Sequence, residues 1–147
     1  MIKMTDLMRR LIASALADEV PCLVASVSAD GRPQISPKGS VAVFDDEHLS
    51  YWERSYRTSF SRITENPHVV VYYRNPHRIP EMPWRAGALR FHGTAQITDD
   101  GAKRDRAYEL AHPNEQKRDP DKKGVGVLIR VDLIEELDGK VVMQRDA

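Results

Sequence analysis

The chain has 147 residues with 22 basic against 22 acidic side chains, so no global field draws it to nucleic acid or to an anionic membrane. That length suits one domain, residues 1–147, with a core large enough to stand without staples. A lone cysteine, Cys22, in an apolar run argues against a disulfide framework. It points to a reducing compartment, and no apolar run approaches the ~20 residues of a membrane span, so the expected location is cytoplasmic with no membrane partner.

Met4, Leu7, Met8, Leu11, Ile12, Ala15 and Leu16 recur at helical spacing, which predicts an amphipathic helix ending near Ala17. Its stripe is longer than the end of a small barrel covers, which asks for a second copy of the chain. Cys22 to Ser28 reads as a strand in which Leu23, Ala25 and Val27 alternate against Ser26 and Ser28. Asp30-Gly31 supplies a tight hairpin. The return strand, Pro33 to Lys38, sets Gln34, Ser36 and Lys38 on one face and Ile35 on the other, and Pro37 keeps it from being a central strand. Ser36-Pro37-Lys38-Gly39-Ser40 is a polar interruption before the strand Val41 to Phe44.

Asp45-Asp46-Glu47 turns the chain into His48 to Trp52, and this strand runs through a short polar turn into a helix that stops at Asn66-Pro67. Thr58 and Ser59 can cap that helix, and Arg54 and Arg57 stand just ahead of it. Hydroxyls, helix N–H groups and guanidinium forks converging on one point suit a phosphate, although an ordinary cap beside solvated arginines fits the same residues. His68 to Tyr73 is apolar on both faces. Arg74 to Gly87, rich in proline with Met82 and Trp84, reads either as a lid over a pocket or as a plug in the barrel end.

Leu89, Phe91, Gly93, Ala95 and Ile97 alternate with Arg90, His92, Thr94 and Gln96 in a long two-faced strand. Asp99-Asp100-Gly101 opens a helix through about His112. Pro113 to Lys123 lacks apolar residues and reads as a solvated loop. Val125 to Val131 makes a last long strand, and Lys140 to Met143 adds a short edge strand after Asp138-Gly139. The pattern predicts a mainly β protein with helices, an antiparallel barrel with helices packed at its ends.

The five histidines show no metal-ligand spacing, so no metal site is expected. No Walker or Rossmann glycine loop and no G-x-S-x-G elbow is present, and Asp45-Asp46, Asp99-Asp100 and Glu135-Glu136 are expected in turns or exposed positions. What remains is a local anion site beside aromatics, the usual need of a phosphorylated planar cofactor.

Tyr51-Trp52, the four-residue turn Glu53-Arg54-Ser55-Tyr56, Arg57-Thr58 and the closing Asn66-Pro67 resemble the FMN-binding split-barrel proteins related to pyridoxamine 5'-phosphate oxidase. The family's other flavin segment falls, ten residues before Tyr51, on Ser36-Pro37-Lys38-Gly39-Ser40-Val41. The resemblance spans roughly Pro21 to Val131. It implies a flavoprotein oxidoreductase in which Arg57, Thr58 and Ser59 hold the FMN phosphate, Ser36 to Val41 run along the ring and ribityl chain, and Tyr51 and Trp52 face the flavin. Arg90 is the nearest polar substitute for a family glutamine at Ala88. It also implies a homodimer with cofactor sites at the interface and a small-molecule substrate. The C-terminal motif that grips pyridoxal phosphate in the true oxidase has no counterpart in Val141–Ala147. A non-catalytic flavin-binding or stress-related module is the alternative on the same fold, as is haem or deazaflavin in the same cleft with His77 or His92 as an iron ligand.

Overall fold

The computed structural model describes residues 1–55, 58–98 and 100–146, with the backbone alone at Thr58 and Ser59. Helix α1 (Asp6–Ser14) precedes strands β1 (Cys22–Val27), β2 (Pro33–Lys38), β3 (Ala42–Val43) and β4 (His48–Glu53). Then come α2 (Thr58–Glu65), β5 (His68–Arg74), β6 (Ala88–Thr98), α3 (Gly101–Leu110), α4 (Pro113–Gln116), β7 (Val125–Glu135) and β8 (Val141–Gln144). All the pairings are antiparallel, in the order β2-β1-β5-β6-β7-β4-β3. The long β7 carries β4 along its first half and β8 along its second. The result is a curled sheet, open between β2 and β3, with helices closing its ends.

Local chemistry explains the element ends. Thr5 caps α1 by accepting from Met8 N at 3.2 Å, and Glu19 at φ 64° turns the chain out of the following turns. Gly31 at φ 86° makes the β1–β2 turn, and Asp100 caps α3 through Ala102 N and Lys103 N. The two prolines of β2 cost nothing because β2 pairs on one side only, with β1.

The core packs Leu49, Tyr51, Val71, Tyr73, Phe91 and Ile129 between the sheet faces, with Met8, Leu11 and Ile12 from α1 beneath them. Cys22 belongs to it, and burial pushes its thiol up to about 12, so it stays protonated and inert at neutral pH. Among the described residues, no helix is long and apolar enough to cross a membrane.

Four expectations need correction. The stripe of α1 is covered within one chain, Met4, Met8, Leu11, Ile12 and Ala15 all being buried, so it makes no case for a second copy. On β1 the buried face is Cys22, Val24 and Ser26, not Leu23, Ala25 and Val27. On β5 only Val69, Val71 and Tyr73 are buried, and Val70 and Tyr72 stay half exposed. Glu136 is buried and accepts from Arg85 N at 2.6 Å, so that carboxylate pair is not exposed. As for Arg74 to Gly87, two short 3-10 turns place Trp84 in the core at 9% exposure, which favours the plug over the lid.

Candidate functional site

The sheet opens where β2 ends, and the three residues Gly39-Ser40-Val41 carry the chain across to β3. Ser40 bridges the gap with one hydroxyl: its Oγ accepts from Trp52 N at 2.9 Å and donates to Trp52 O at 3.2 Å. A cleft of about 740 Å³ lies beside this corner, within the range of small-molecule and cofactor sites. Ser36, Pro37, Lys38, Gly39 and Ser40 form one wall, and Trp52, Glu53, Arg54 and Ser55 form the next. The two segments that carry the family resemblance therefore meet at one cavity.

Strand alternation decides which side chains reach it. Trp52 lines the cleft while its neighbour Tyr51, at 1% exposure, faces the core, and Val41 is likewise a core residue. Lys38 Nζ lies 2.9 Å from Glu53 Oε2 and 5.6 Å from the centre of the Tyr51 ring. Burial and the charge of Glu53 push the Tyr51 phenol upward, so it stays protonated. Arg90 lies away from the cleft on β6, 3.3 Å from Glu135 Oε1. Arg57 lies outside the described residues, as do the side chains of Thr58 and Ser59; Thr58 and Ser59 begin α2, three residues beyond the cleft-lining Ser55.

The third wall comes from the charged run read as a solvated loop, and this is a correction. Glu115, Arg118, Asp119 and Lys123 all line the cleft. Asp119 is 8% exposed and accepts from Trp52 Nε1 at 2.8 Å, Lys123 N at 2.9 Å and Gly124 N at 2.9 Å. Burial alone would raise its carboxyl, but those hydrogen bonds hold it below the usual carboxylate range. Tyr108 donates its hydroxyl to the carbonyls of Gln116 and Asp119, and its ring meets that of Trp52 edge-on at 5.0 Å. Gly124 is required here, because a Cβ would strike the carbonyl of Glu53 and come within 3.0 Å of Trp52 Nε1. In the sequence this wall carries the turn-forming Asp119-Pro120 and Gly124-Val125-Gly126, with no sign that the carboxylate is buried.

Neither histidine proposed as an iron ligand lines the cleft. His92 Nε2 lies 2.8 Å from Glu135 Oε1, and His77 lies beside Asp18, Arg78 and Glu81 in a separate shallow pocket. Among the described residues, no group of three His, Cys, Asp or Glu side chains is arranged to hold a metal ion.

An antiparallel sheet curled on itself, left open along one line and bearing its cleft there, is a split barrel. The family model described as pyridoxamine 5'-phosphate oxidase matches residues 8–134. The chain belongs to that family. It is 29% identical to HupZ of Group A Streptococcus over 97% of this chain and 99% of that one, with a TM-score of 0.67. A histidine-to-alanine variant of HupZ aligns at 31% identity over 93% and 100% of the two chains, with a TM-score of 0.65. An FMN-binding protein from Syntrophomonas wolfei shares the fold at 10% identity, covering 96% and 89%, with a TM-score of 0.62. No curated protein matches the chain by sequence.

Proposed function

We propose that the chain binds FMN in the cleft between the Ser36–Ser40 corner and the start of α2, and that it serves as a flavin-dependent oxidoreductase acting on a small molecule. The observation that carries this reading is the convergence on one cavity of the two segments by which the chain resembles flavin-binding members of its family. The residues fit such a group. At Gly39 a Cβ would strike Glu115 Oε1 and approach Leu16 within 3.1 Å, so glycine lets this corner pack directly against the Glu115 wall of the cavity. Trp52 offers an aromatic edge, and Lys38 and Arg54 offer positive charge.

Bound FMN would supply hydride transfer through its ring; the protein would supply position and electrostatics. Arg57 and the N–H groups at the start of α2 would hold the phosphate, and Ser36 to Ser40, with Lys38 held by Glu53 at 2.9 Å, would bind the ribityl chain and ring. The working form is a homodimer with cofactor sites at the interface. The half-exposed outer residues Leu23, Ala25, Val27, Val70 and Tyr72 of β1 and β5 and the 67% exposed Ile35 of β2 form the face that a second copy covers.

Titration with FMN and riboflavin tests the site. A charge-assisted hydrogen bond lost typically costs about 1.5 to 3 kcal/mol, so Arg57→Ala weakens FMN binding roughly ten- to a hundred-fold and leaves riboflavin nearly unchanged. Arg62→Ala is the control, since Arg62 reaches over to the carbonyl of Arg32. Equal affinity of the parent protein for FMN and riboflavin would refute the phosphate site.

A further inference from the structure

The outer face of the sheet carries a polar cluster set in a largely apolar field. On β6, Arg90 and His92 lie on one side of the strand, and their register partners are Tyr72 and Val70 on β5 and Glu135 and Leu133 on β7. Val70, Tyr72 and Leu133 stay half exposed. Between them one carboxylate oxygen serves two partners: Glu135 Oε1 lies 2.8 Å from His92 Nε2 and 3.3 Å from Arg90 Nη1. Arg90 also donates to the carbonyl of Leu137 at 3.3 Å. The hydrogen bond with His92, above all, holds the Glu135 carboxyl below the usual carboxylate range, so it is anionic at neutral and mildly acid pH.

The charge of this cluster turns on one proton. With a neutral imidazole, Arg90 and Glu135 cancel; with an imidazolium, two cations face one carboxylate and a positive charge is left over. Neighbouring groups do not absorb it. His68 and Asp132 line the same hollow as His92, but Asp132 lies 3.3 Å from Arg145 Nε and 4.0 Å from Arg130 Nη1, and His68 only adds positive charge in acid. Histidine is the side chain whose charge changes between about pH 5 and 8. An excess charge is costly to take out of water, and a matched, hydrogen-bonded pair much less so.

We infer that His92 is a pH switch on subunit association: with the imidazole neutral this face is buried against a second copy of the chain, and protonation drives the two copies apart. The inference rests on the homodimer reading, whose face this is. A face that is apolar and charge-balanced at neutral pH matches itself, as an isologous contact requires. By the same symmetry, acid puts two excess charges into one interface. Mild acid therefore takes apart the sites that lie between the copies while each chain stays folded.

The test is sedimentation velocity of the full chain over a concentration series at fixed ionic strength, with circular dichroism confirming the fold at each pH. Between about pH 8 and about pH 5.5 the dimer Kd of the parent rises roughly ten-fold or more. His92→Gln, whose amide still donates to Glu135 but takes no proton, holds its Kd nearly constant over the same range, and His68→Gln keeps the parent's profile. Heats of dissociation in two buffers of different ionisation enthalpy give a second measure: the parent takes up protons on dissociating in mild acid, and His92→Gln does not. A dimer whose Kd ignores pH, or a His92→Gln protein that dissociates in acid like the parent, overturns the switch and leaves the homodimer standing. A profile lost in His68→Gln instead also overturns the assignment to His92. A parent that is monomeric at every pH overturns the switch and the homodimer together.

Discussion

Trp52 Nε1 donates to Asp119 Oδ2 at 2.8 Å across 67 positions of sequence, and through this one bond the barrel strand β4 holds the wall built by the polar 113–124 segment. Asp119→Ala would leave three buried or half-buried donors without their acceptor. At about 1 to 3 kcal/mol for each unsatisfied group, partly relieved by water, a loss of about 3 kcal/mol is expected in urea unfolding. Asp119→Asn should lose less, because it keeps one acceptor oxygen.

The same residue sets an acid limit. The folded carboxyl titrates below its unfolded value near 3.9, so its stabilising contribution is complete above that value and disappears as the pH falls through the lower folded one. Asp18 and Glu135 act in the same direction. The hydrogen bond from Arg78 lowers the first and the hydrogen bond with His92 lowers the second. Stability should therefore decline below about pH 4, and the Asp119→Asn profile should fall less steeply than the parent's when melting temperature is followed against pH.

Two glycines of similar appearance in the sequence predict opposite outcomes. Gly93 sits at the irregularity between β6 and β7, where a Cβ would strike the carbonyl oxygen of Arg130 and lie 2.8 Å from Ile129 Cγ2. Gly93→Ala must push a central strand and should destabilise by about 2 to 3 kcal/mol or more. Gly101 opens α3 with nothing within 4 Å of its missing Cβ. Gly101→Ala should be neutral or stabilise by up to roughly 1 kcal/mol. Thermal melts of the two variants decide it.

Both tryptophans are buried, but only Trp52 lines the cleft. If FMN occupies that cleft, its addition quenches the parent's tryptophan emission, Trp52→Phe loses most of the quenching and Trp84→Phe loses less. The reverse order would place the ring against the proline-rich loop instead. Trp84→Ala should cost about 3 to 5 kcal/mol of stability as the loss of a core plug.

Turn chemistry made much of the barrel legible in advance. Asp30-Gly31, Asp138-Gly139 and the Asn66-Pro67 stop each fall where their geometry requires, and Pro37 announced β2 as an edge. Period-2 alternation could not choose the buried face of β1, because Leu23, Ala25 and Val27 are as apolar as Cys22 and Val24. Packing against the rest of the barrel makes that choice, and packing is nonlocal. At the site, the two cleft-lining segments were marked in advance by their resemblance to a flavin-binding family. The third wall was not, since patterning detects buried apolar groups and this wall buries a carboxylate whose desolvation is offset by hydrogen bonds. Nor did the sequence show that Lys38 is committed to Glu53.

The single hydroxyl of Ser40 also tells how the barrel would yield. Along every other line of the sheet, parting two strands breaks a ladder of backbone bonds at once. Beside β2 and β3, among the described residues, the corner is tied to β4 by side chains: Ser40 makes two hydrogen bonds to Trp52, and Lys38 pairs with Glu53 at 2.9 Å. Widening the mouth of the cleft thus breaks side-chain contacts and not a backbone ladder, so this line is where the barrel yields while the remaining strands keep their register.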